Sequence, residues 1–377
     1  MPVDSAAEAE LVAEADAFAR KVAALASTEP QLRYQGMPSD GDSRVVYEWL
    51  GRDGWIGLHW PERQGGRGLT HLHTVSCEER FGYHWLPLSG YLLSVKTVGN
   101  ALIRFASEEL AGRLLPEIAA GRLLFCQGFS EPDAGSDLAA LRTRAELRGD
   151  RFVVNGRKIW TSSAEYADWA YLAVRTDAGA TRHRGISVLV ADMRTPGINV
   201  QVHETLGGGT LGELELTDVE IPADQLVGEP HGAWSVLMGT LDYERVTSEK
   251  VGVVLSLLDW LDPIARRPEQ RTTLRRLRGE AQAARLQGRR AAELLAEGRP
   301  ASAQASMAKL SVAQLMQRLA ASATELLGPE AMLEEGTETM RGRVAAFMRA
   351  AVATTIAGGA AEVQRLVIAR RELGCPS

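Results

Sequence analysis

Residues 125–163, FCQGFSEPDAGSDLAALRTRAELRGDRFVVNGRKIWTSS, concentrate the residue types best suited to holding a polar ligand. Ser130-Glu131-Pro132-Asp133-Ala134-Gly135-Ser136-Asp137 is a run of small, turn-forming and hydroxyl residues. Such a run suits a loop that offers backbone N–H groups and hydroxyls to a ligand. Further on, residues 151–154 read as a strand, Asn155-Gly156 as a tight hairpin turn, and residues 157–162 as the return strand. The hairpin then ends by presenting Trp160, Thr161 and Ser162 together. A Trp followed two residues later by a hydroxyl, both on one face of a strand, would lay an indole along a flat heterocycle and set a hydrogen-bond donor at its edge. That is chemistry suited to a flavin, although in an ordinary strand the same spacing is simply core plus surface.

The elements that must position these residues follow from the rest of the chain. Its 377 residues, 45% hydrophobic and 24% charged, are enough for two or three domains with substantial cores. Apolar residues Leu11, Val12, Ala15, Phe18, Ala19 and Val22 recur at helical spacing, so residues 6–25 are expected to form an amphipathic helix. Residues 31–42 read as a loop and 43–52 as a second helix. The glycine-rich stretch 54–69 lacks the preceding strand and the Lys-Ser/Thr of a phosphate cradle, and reads as a tight connection between helices. Residues 73–105 are helical in character, and Ser107-Glu108-Glu109 is an N-cap with an acidic first turn opening a helix through Ala120.

Alternation of period 2 takes over between residues 124 and 227, with strands expected at 145–147, 151–154, 157–161, 169–175, 186–191, 198–203 and 211–216. That number and spacing suits a small β-barrel or sandwich. From Gly232 the pattern returns to helix, interrupted at 263–268 and 298–300. The expected organisation is an N-terminal α-helical domain (1–122), a central β-barrel domain (123–230) and a C-terminal four-helix-bundle domain (231–377).

Composition removes several function classes. The net charge of −6 arises from 42 basic and 48 acidic residues spread along the chain, without the basic stripe expected of a nucleic-acid binder. Cys77, Cys126 and Cys375 are too scattered for a disulfide framework or a zinc site, which points to a reducing cytoplasm. His71, His73 and His84 lack companion carboxylates or cysteines at ligand spacing, so no metal is expected. An acidic, amphipathic N-terminus and the lack of a long uncharged apolar run predict neither secretion nor a membrane span.

The motifs and their order resemble the acyl-CoA dehydrogenase family, in its SEP-x-AGSD loop, its W-x-(S/T) strand and its GW-x-GL-x-x-PE-x-x-GG-x-GL N-terminal signature. The resemblance implies that fold and an FAD cofactor. It gives flavin contacts to Gln127, Phe129, Ser130, Gly135, Ser136, Trp160, Thr161 and Ser162, and places Ser136 near the substrate's thioester arm as well. Most members carry the base that removes the substrate α-proton in a segment matched here by residues 356–365, where Gly358 stands at the base position. A minority branch, similar to isovaleryl-CoA dehydrogenase, carries it instead in an L-D-x-E-R motif on the first helix of the C-terminal domain. That motif is matched by Leu241-Asp242-Tyr243-Glu244-Arg245. The resemblance therefore assigns Glu244 as the base, with the β-hydrogen passing as hydride to flavin N5. The alternative for Glu244 is an ordinary helix-surface charge paired with Lys or Arg.

By the same resemblance the Gly358 N–H bonds the thioester carbonyl, Gly359 lets the backbone approach the substrate, Arg245 fixes the geometry, and Asp242 and Tyr243 line the substrate channel. Glu325 and Gly328, in a segment where the family has Gln-x-x-Gly-Gly, together with Glu362 are matched to flavin contacts near a subunit interface. The family's Arg-x-x-Phe-Gly-x-Pro segment has no match in residues 260–278. The short loop at 205–210 is more similar to an actinobacterial branch of sterol side-chain breakdown and secondary metabolism. The partners implied are an acyl-CoA or acyl-carrier-protein thioester, an electron-transferring flavoprotein, and a homodimer, homotetramer or heterotetramer with a paralogue. Two other functions fit the same residues: a flavin monooxygenase or redox-neutral thioester-modifying enzyme on this fold, and a non-catalytic partner subunit.

Overall fold

The computed structural model describes residues 5–28, 40–207, 209–334, 340 and 342–376. Most of the expected loop at 31–42 lies outside the described residues, as does Gly208 of the short loop at 205–210; residues 40–42 already belong to a helix. Helix α1 (Ser5–Thr28) buries Leu11, Ala15, Ala19 and Val22 on one stripe, and α2 (Asp40–Arg52) buries Val46, Tyr47 and Leu50. A third helix, α3 (His71–Tyr83), precedes a long one built in three parts: α4 (Ser89–Tyr91), a π-helical segment (Leu92–Gly99) and α5 (Asn100–Phe105). Helix α6 (Glu108–Ala119) is capped as expected, the Leu110 N–H donating to Ser107 Oγ at 3.2 Å. The glycine-rich connection packs around the fully buried Trp60: a Cβ on Gly66 would stand 2.1 Å from the Trp60 carbonyl, and one on Gly99 would stand 2.0 Å from the indole. Close packing, not phosphate binding, accounts for those glycines.

Eight strands form one sheet: β1 (Phe125–Gly128), β2 (Arg144–Arg148), β3 (Arg151–Thr161), β4 (Trp169–Arg175), β5 (Ile186–Asp192), β6 (Ile198–Glu204), β7 (Thr210–Pro222) and β8 (Leu226–Val227). The order along the main path is β6-β7-β3-β2-β4-β5-β8. Both β1 and β2 run parallel to β4, one pairing Phe125 with Trp169 and the other Arg144 with Arg175. They follow one another along β4, so the chain between them leaves the sheet and returns to it, and that excursion is the Ser130–Asp137 loop.

One expectation fails here. Asn155-Gly156 is not a hairpin turn, because β3 runs unbroken from Arg151 to Thr161. The turn is instead Gly149-Asp150, with Gly149 at φ +65° and Arg148 paired with Arg151. A Gly-Asp pair fits a two-residue turn as Asn-Gly does, and strand register decided between them. Asn155 instead sits opposite a β-bulge of β7, where Thr217 and Asp218 fall between the partners of Val154 and Gly156. The Asn155 side chain donates to Asp218 Oδ1 (3.0 Å) and accepts from the Asp218 N–H (2.9 Å), which ties β3 to that bulge.

The C-terminal part is helical: α7 (Ala233–Arg245), α8 (Ser248–Leu261), α9 (Pro268–Ala296), α10 (Ser302–Leu327), α11 (Arg343–Thr354) and α12 (Ala361–Arg371). Leu257, Leu258, Leu261, Leu274, Leu277, Leu315, Leu319 and Phe347 make its buried core. Among the described residues no helix is long and apolar enough to cross a membrane.

Candidate active site

Two clusters carry the residues singled out by the sequence. The first is the loop after β1 with the end of β3. Its anchor is a buried ion pair that the sequence reading missed: Lys158 Nζ lies 2.7 Å from Glu131 Oε1 and donates to the Phe129 carbonyl at 3.1 Å. The Glu131 carboxylate also accepts from the N–H groups of Arg142 (2.6 Å) and Thr143 (2.8 Å). Burial works to raise the Glu131 pKa, but Lys158 and these N–H donors bring it below the usual value. Burial draws the Lys158 ammonium down to about 8 against the pull of Glu131. The loop is thus pinned at both ends from beneath, and Gly135, Ser136 and Asp137 stand exposed above it. Phe129 is buried with its ring 5.5 Å from that of Tyr171, and Gln127 lies within β1 opposite Tyr171.

At the end of β3 the presentation of Trp160 differs from simple strand alternation. The register against β7 shifts between Lys158 and Thr161, Trp160 sits at φ +59° and Ser163 at φ +62°. β3 stops at Thr161, so Ser162 lies beyond the strand and the one-face argument does not apply. A left-handed backbone at a large non-glycine residue costs about 1–2 kcal/mol. Here it accompanies an indole that is 67% exposed, while Thr161 Oγ1 is buried with no hydrogen-bond partner among the described residues. An exposed flat ring, an unpartnered hydroxyl and an open loop of N–H and hydroxyl donors fit the isoalloxazine of the FAD that the resemblance implies.

The second cluster surrounds Glu244 on the last turn of α7. Its carboxylate makes no ion pair among the described residues, and Oε2 is buried without a partner, so it is not an ordinary paired surface charge. A Cβ on Gly358 would stand 3.1 Å from Glu244 Oε1. The two positions at which the resemblance allows a base therefore address the same small volume. Burial raises the Glu244 pKa, opposed by the positive charges of Arg245, Lys250, Lys96 and Lys309. Arg245 is 5% exposed, with Nη1 3.7 Å from Asp242 Oδ1.

The structure joins Glu244, Arg245, Gly358 and Gly359, but it turns the other two residues of the motif elsewhere. Asp242 accepts from Ser302 Oγ at 2.7 Å, and burial raises its pKa. Tyr243 faces the N-terminal helices, its ring 5.0 Å from His71 and 6.4 Å from His59. Successive helical residues point about 100° apart, which separates the three side chains. Glu325 and Glu362 lie at the surface, near Arg267 (3.9 Å) and Arg365 (3.4 Å), and Gly328 ends α10. Among the described residues no hydrogen bond, ion pair or ring contact links these three to the Trp160 loop.

One helix runs past both clusters. Ser89 Oγ lies 3.4 Å from Ser163 Oγ, Ser94 Oγ accepts from the Phe125 N–H at 2.9 Å, and Lys96 donates to the Val246 carbonyl two residues beyond Glu244. At about 1.5 Å per residue, Ser89 and Lys96 are roughly 10 Å apart. The buried Lys96 also reaches Glu78 (3.1 Å) and Glu249 (3.3 Å), tying α3, the π-helical segment and α8 together. Among the described residues no group of three His, Cys, Asp or Glu side chains is placed to hold a metal.

Comparison with known proteins agrees with the architecture. Three domain models match in order: acyl-CoA dehydrogenase N-terminal domain at residues 5–122, middle domain at 126–219 and C-terminal domain at 231–373. Acyl-CoA dehydrogenase FadE26 of Mycobacterium tuberculosis is 33% identical over 353 residues, covering 88% of this chain and 88% of the relative. A solved structure titled Tcur3481-Tcur3483 steroid ACAD superposes with a TM-score of 0.89 at 29% identity, covering 99% of this chain and 98% of that one. The ChsE4-ChsE5 complex from Mycobacterium tuberculosis gives 0.86 at 30% identity, with full coverage of both chains.

Proposed function

The chain belongs to the acyl-CoA dehydrogenase family, and from that membership we propose that it desaturates the Cα–Cβ bond of an acyl thioester with Glu244 as its base. It is a flavin oxidoreductase acting on CH–CH bonds, and its cofactor is FAD. FAD, when bound, supplies the acceptor for the β-hydrogen, which leaves as hydride. The observation that carries the assignment of the base is the packing of the Glu244 carboxylate against Gly358, where no side chain competes for the proton.

Glu244 takes the α-proton on a carboxylate oxygen that has no other partner. Its raised proton affinity makes it a stronger base than an exposed Glu, and the surrounding cations keep the charged form accessible. The Gly358 N–H, which meets no backbone acceptor among the described residues, bonds the thioester carbonyl and acidifies the α-carbon. Arg245 orients the end of α7. Trp160, with Thr161 and Ser162, packs against the flavin ring, and Gln127, Phe129, Ser130, Gly135 and Ser136 form its loop.

We take CoA thioesters of steroid-derived acyl groups as the substrate class, supported by the 29% identical steroid ACAD. An acyl-carrier-protein thioester is the second class. The exposed Glu325 and Glu362, with the half-buried Gly328, suit contacts across a subunit interface, and the two-component ChsE4-ChsE5 relative supports a heteromer over a homotetramer. We place the domain junctions after residues 122 and 230, the chain in the cytoplasm, and an electron-transferring flavoprotein as the electron acceptor.

The test is the anaerobic visible spectrum of the flavin-loaded protein as acyl-CoA and acyl-carrier thioesters are added. Bleaching of the oxidised flavin band by one thioester is expected. Glu244→Gln keeps the band and bleaches about 10²- to 10⁴-fold more slowly. Below its raised pKa Glu244 is protonated and accepts nothing, so the wild-type rate climbs with pH through a value above the ordinary carboxylate range, and Glu244→Gln loses that limb. Full-rate bleaching by Glu244→Gln sinks the assignment.

A further inference from the structure

Lys309 lies on α10 within Ser306-Met307-Ala308-Lys309-Leu310, and is 3% exposed. A buried ammonium is costly unless its donors are used. Its hydrogen bond goes to the Gly359 carbonyl at 2.5 Å. Gln364, fully buried on α12, adds Nε2–H bonds to the carbonyls of Gly358 (3.3 Å) and Gly359 (3.0 Å). Both carbonyls of the glycine pair are therefore captured by side chains of other elements.

The conformation these bonds hold is an unusual one. Gly358 and Gly359 are both left-handed, at φ +68° and +95°, and a Cβ on Gly359 would stand 2.5 Å from Gln364 Nε2. Glycine visits many conformations at little cost, so two in succession do not fix themselves and something else must. In each trans peptide the C=O and the next N–H are rigidly coupled, so these bonds set the Gly358–Gly359 and Gly359–Ala360 planes, and with them the placing of the Gly358 backbone from which its own N–H projects. The same ammonium feels the charges of Glu244 and Glu362, and it is disfavoured by burial and by Lys250 and Arg245.

We propose that Lys309 is a positioning residue for the thioester: by bonding the Gly359 carbonyl it holds the glycine turn against Glu244, so that carbonyl donor and base meet the substrate in one geometry. This rests on the reading of Glu244 and Gly358 given above. Lys309 does not touch the reacting atoms, and it acts through the turn.

Lys309→Met keeps the length and packing of the side chain and removes the donor. Two measurements on the flavin-loaded protein test it. The first, without ligand, is amide hydrogen exchange of the peptide spanning residues 355–361, expected to quicken at least tenfold in Lys309→Met while peptides of the Trp160 loop are unchanged. The second is α-hydrogen exchange, in D₂O and read by mass spectrometry, of a CoA thioester of a steroid side-chain carboxylate, which requires the base and the carbonyl donor but no net oxidation. Here the maximal rate is expected to fall about tenfold to hundredfold with half-saturation within about twofold, and the melting temperature not to fall. A packing role alone would leave both readouts unmoved. Unchanged turn exchange, or a rate that falls only in step with melting temperature, overturns the proposal. Should Lys309→Met fail to fold, Lys309→Leu, which also lacks a donor, carries the same comparison. If the wild type exchanges no α-hydrogen of that steroid-derived acyl-CoA while turn exchange still depends on Lys309, the reading of Glu244 and its substrate fails and the positioning of the turn stands.

Discussion

The Trp160 loop and the Gly358-Gly359 turn both hold left-handed backbone, but they hold it differently. At Trp160 the strained residue is a large aromatic one at the end of a long strand, and the loop beside it is clamped by Lys158 and Glu131. At Gly358 the left-handed residues are glycines, relaxed in themselves, and the restraint comes from Lys309 and Gln364. In the first region the backbone is forced so that an indole faces outward. In the second the side chain is dispensed with so that a carboxylate from another helix fills the space. Strain marks the place where a ring is presented, and absence of a Cβ marks the place where two segments meet.

Substitutions sharpen that contrast. The largest stability effect is expected from Lys158→Met, which leaves the buried Glu131 carboxylate without its cation. Removing one partner of a buried pair costs about 3–5 kcal/mol. Urea unfolding and flavin uptake measure the loss, and a change below about 1 kcal/mol would show that the N–H groups of Arg142 and Thr143 hold the loop unaided.

Gly358→Ala is expected to be smaller in stability and sharper in rate. The left-handed backbone adds about 1–2 kcal/mol of strain, and the new methyl, 3.1 Å from Glu244 Oε1, displaces the carboxylate. Flavin content stays near wild type while the bleaching rate drops more than the stability change explains. Equal rates in the two proteins would mean that Glu244 does not work against this turn.

Trp160→Gly is expected to change stability least. Relief of about 1–2 kcal/mol of strain is offset by about 0.5–1 kcal/mol for the added freedom of glycine, so the apoprotein stays within about 1 kcal/mol of wild type. Its FAD dissociation constant rises at least tenfold, measured by fluorescence on reconstitution. A marked loss of apoprotein stability with flavin affinity intact would make Trp160 a packing residue.

The loop motif is readable because its residues are contiguous, and local turn chemistry survives folding: the expected strands at 169–175 and 186–191 appear as β4 and β5. Asn155-Gly156 reads wrongly as a turn because two nearby dipeptides both suit a hairpin and only pairing with β2 and β7 selects between them. Lys158 and Lys309 are not legible as site residues, since nothing in their neighbours, NGR and IWT for the one and SMA and LS for the other, marks them as buried. What a buried ammonium bonds to depends on residues distant in sequence.

The sequence by itself determined the helix–sheet–helix order, the turn-rich loop at 130–137, and a Glu at 244 together with a residue without a side chain at 358. Those are properties of residue type, period and order, which propensity and turn chemistry express locally. Only the tertiary structure decided that Glu244 and Gly358 share one volume, that Trp160 stands outward on a strained bulge, and that Asp242 and Tyr243 turn away from the carboxylate. Each is a matter of which surfaces meet, and the chain acquires that only when β3 pairs with β7 and α7 packs against α10 and the N-terminal part.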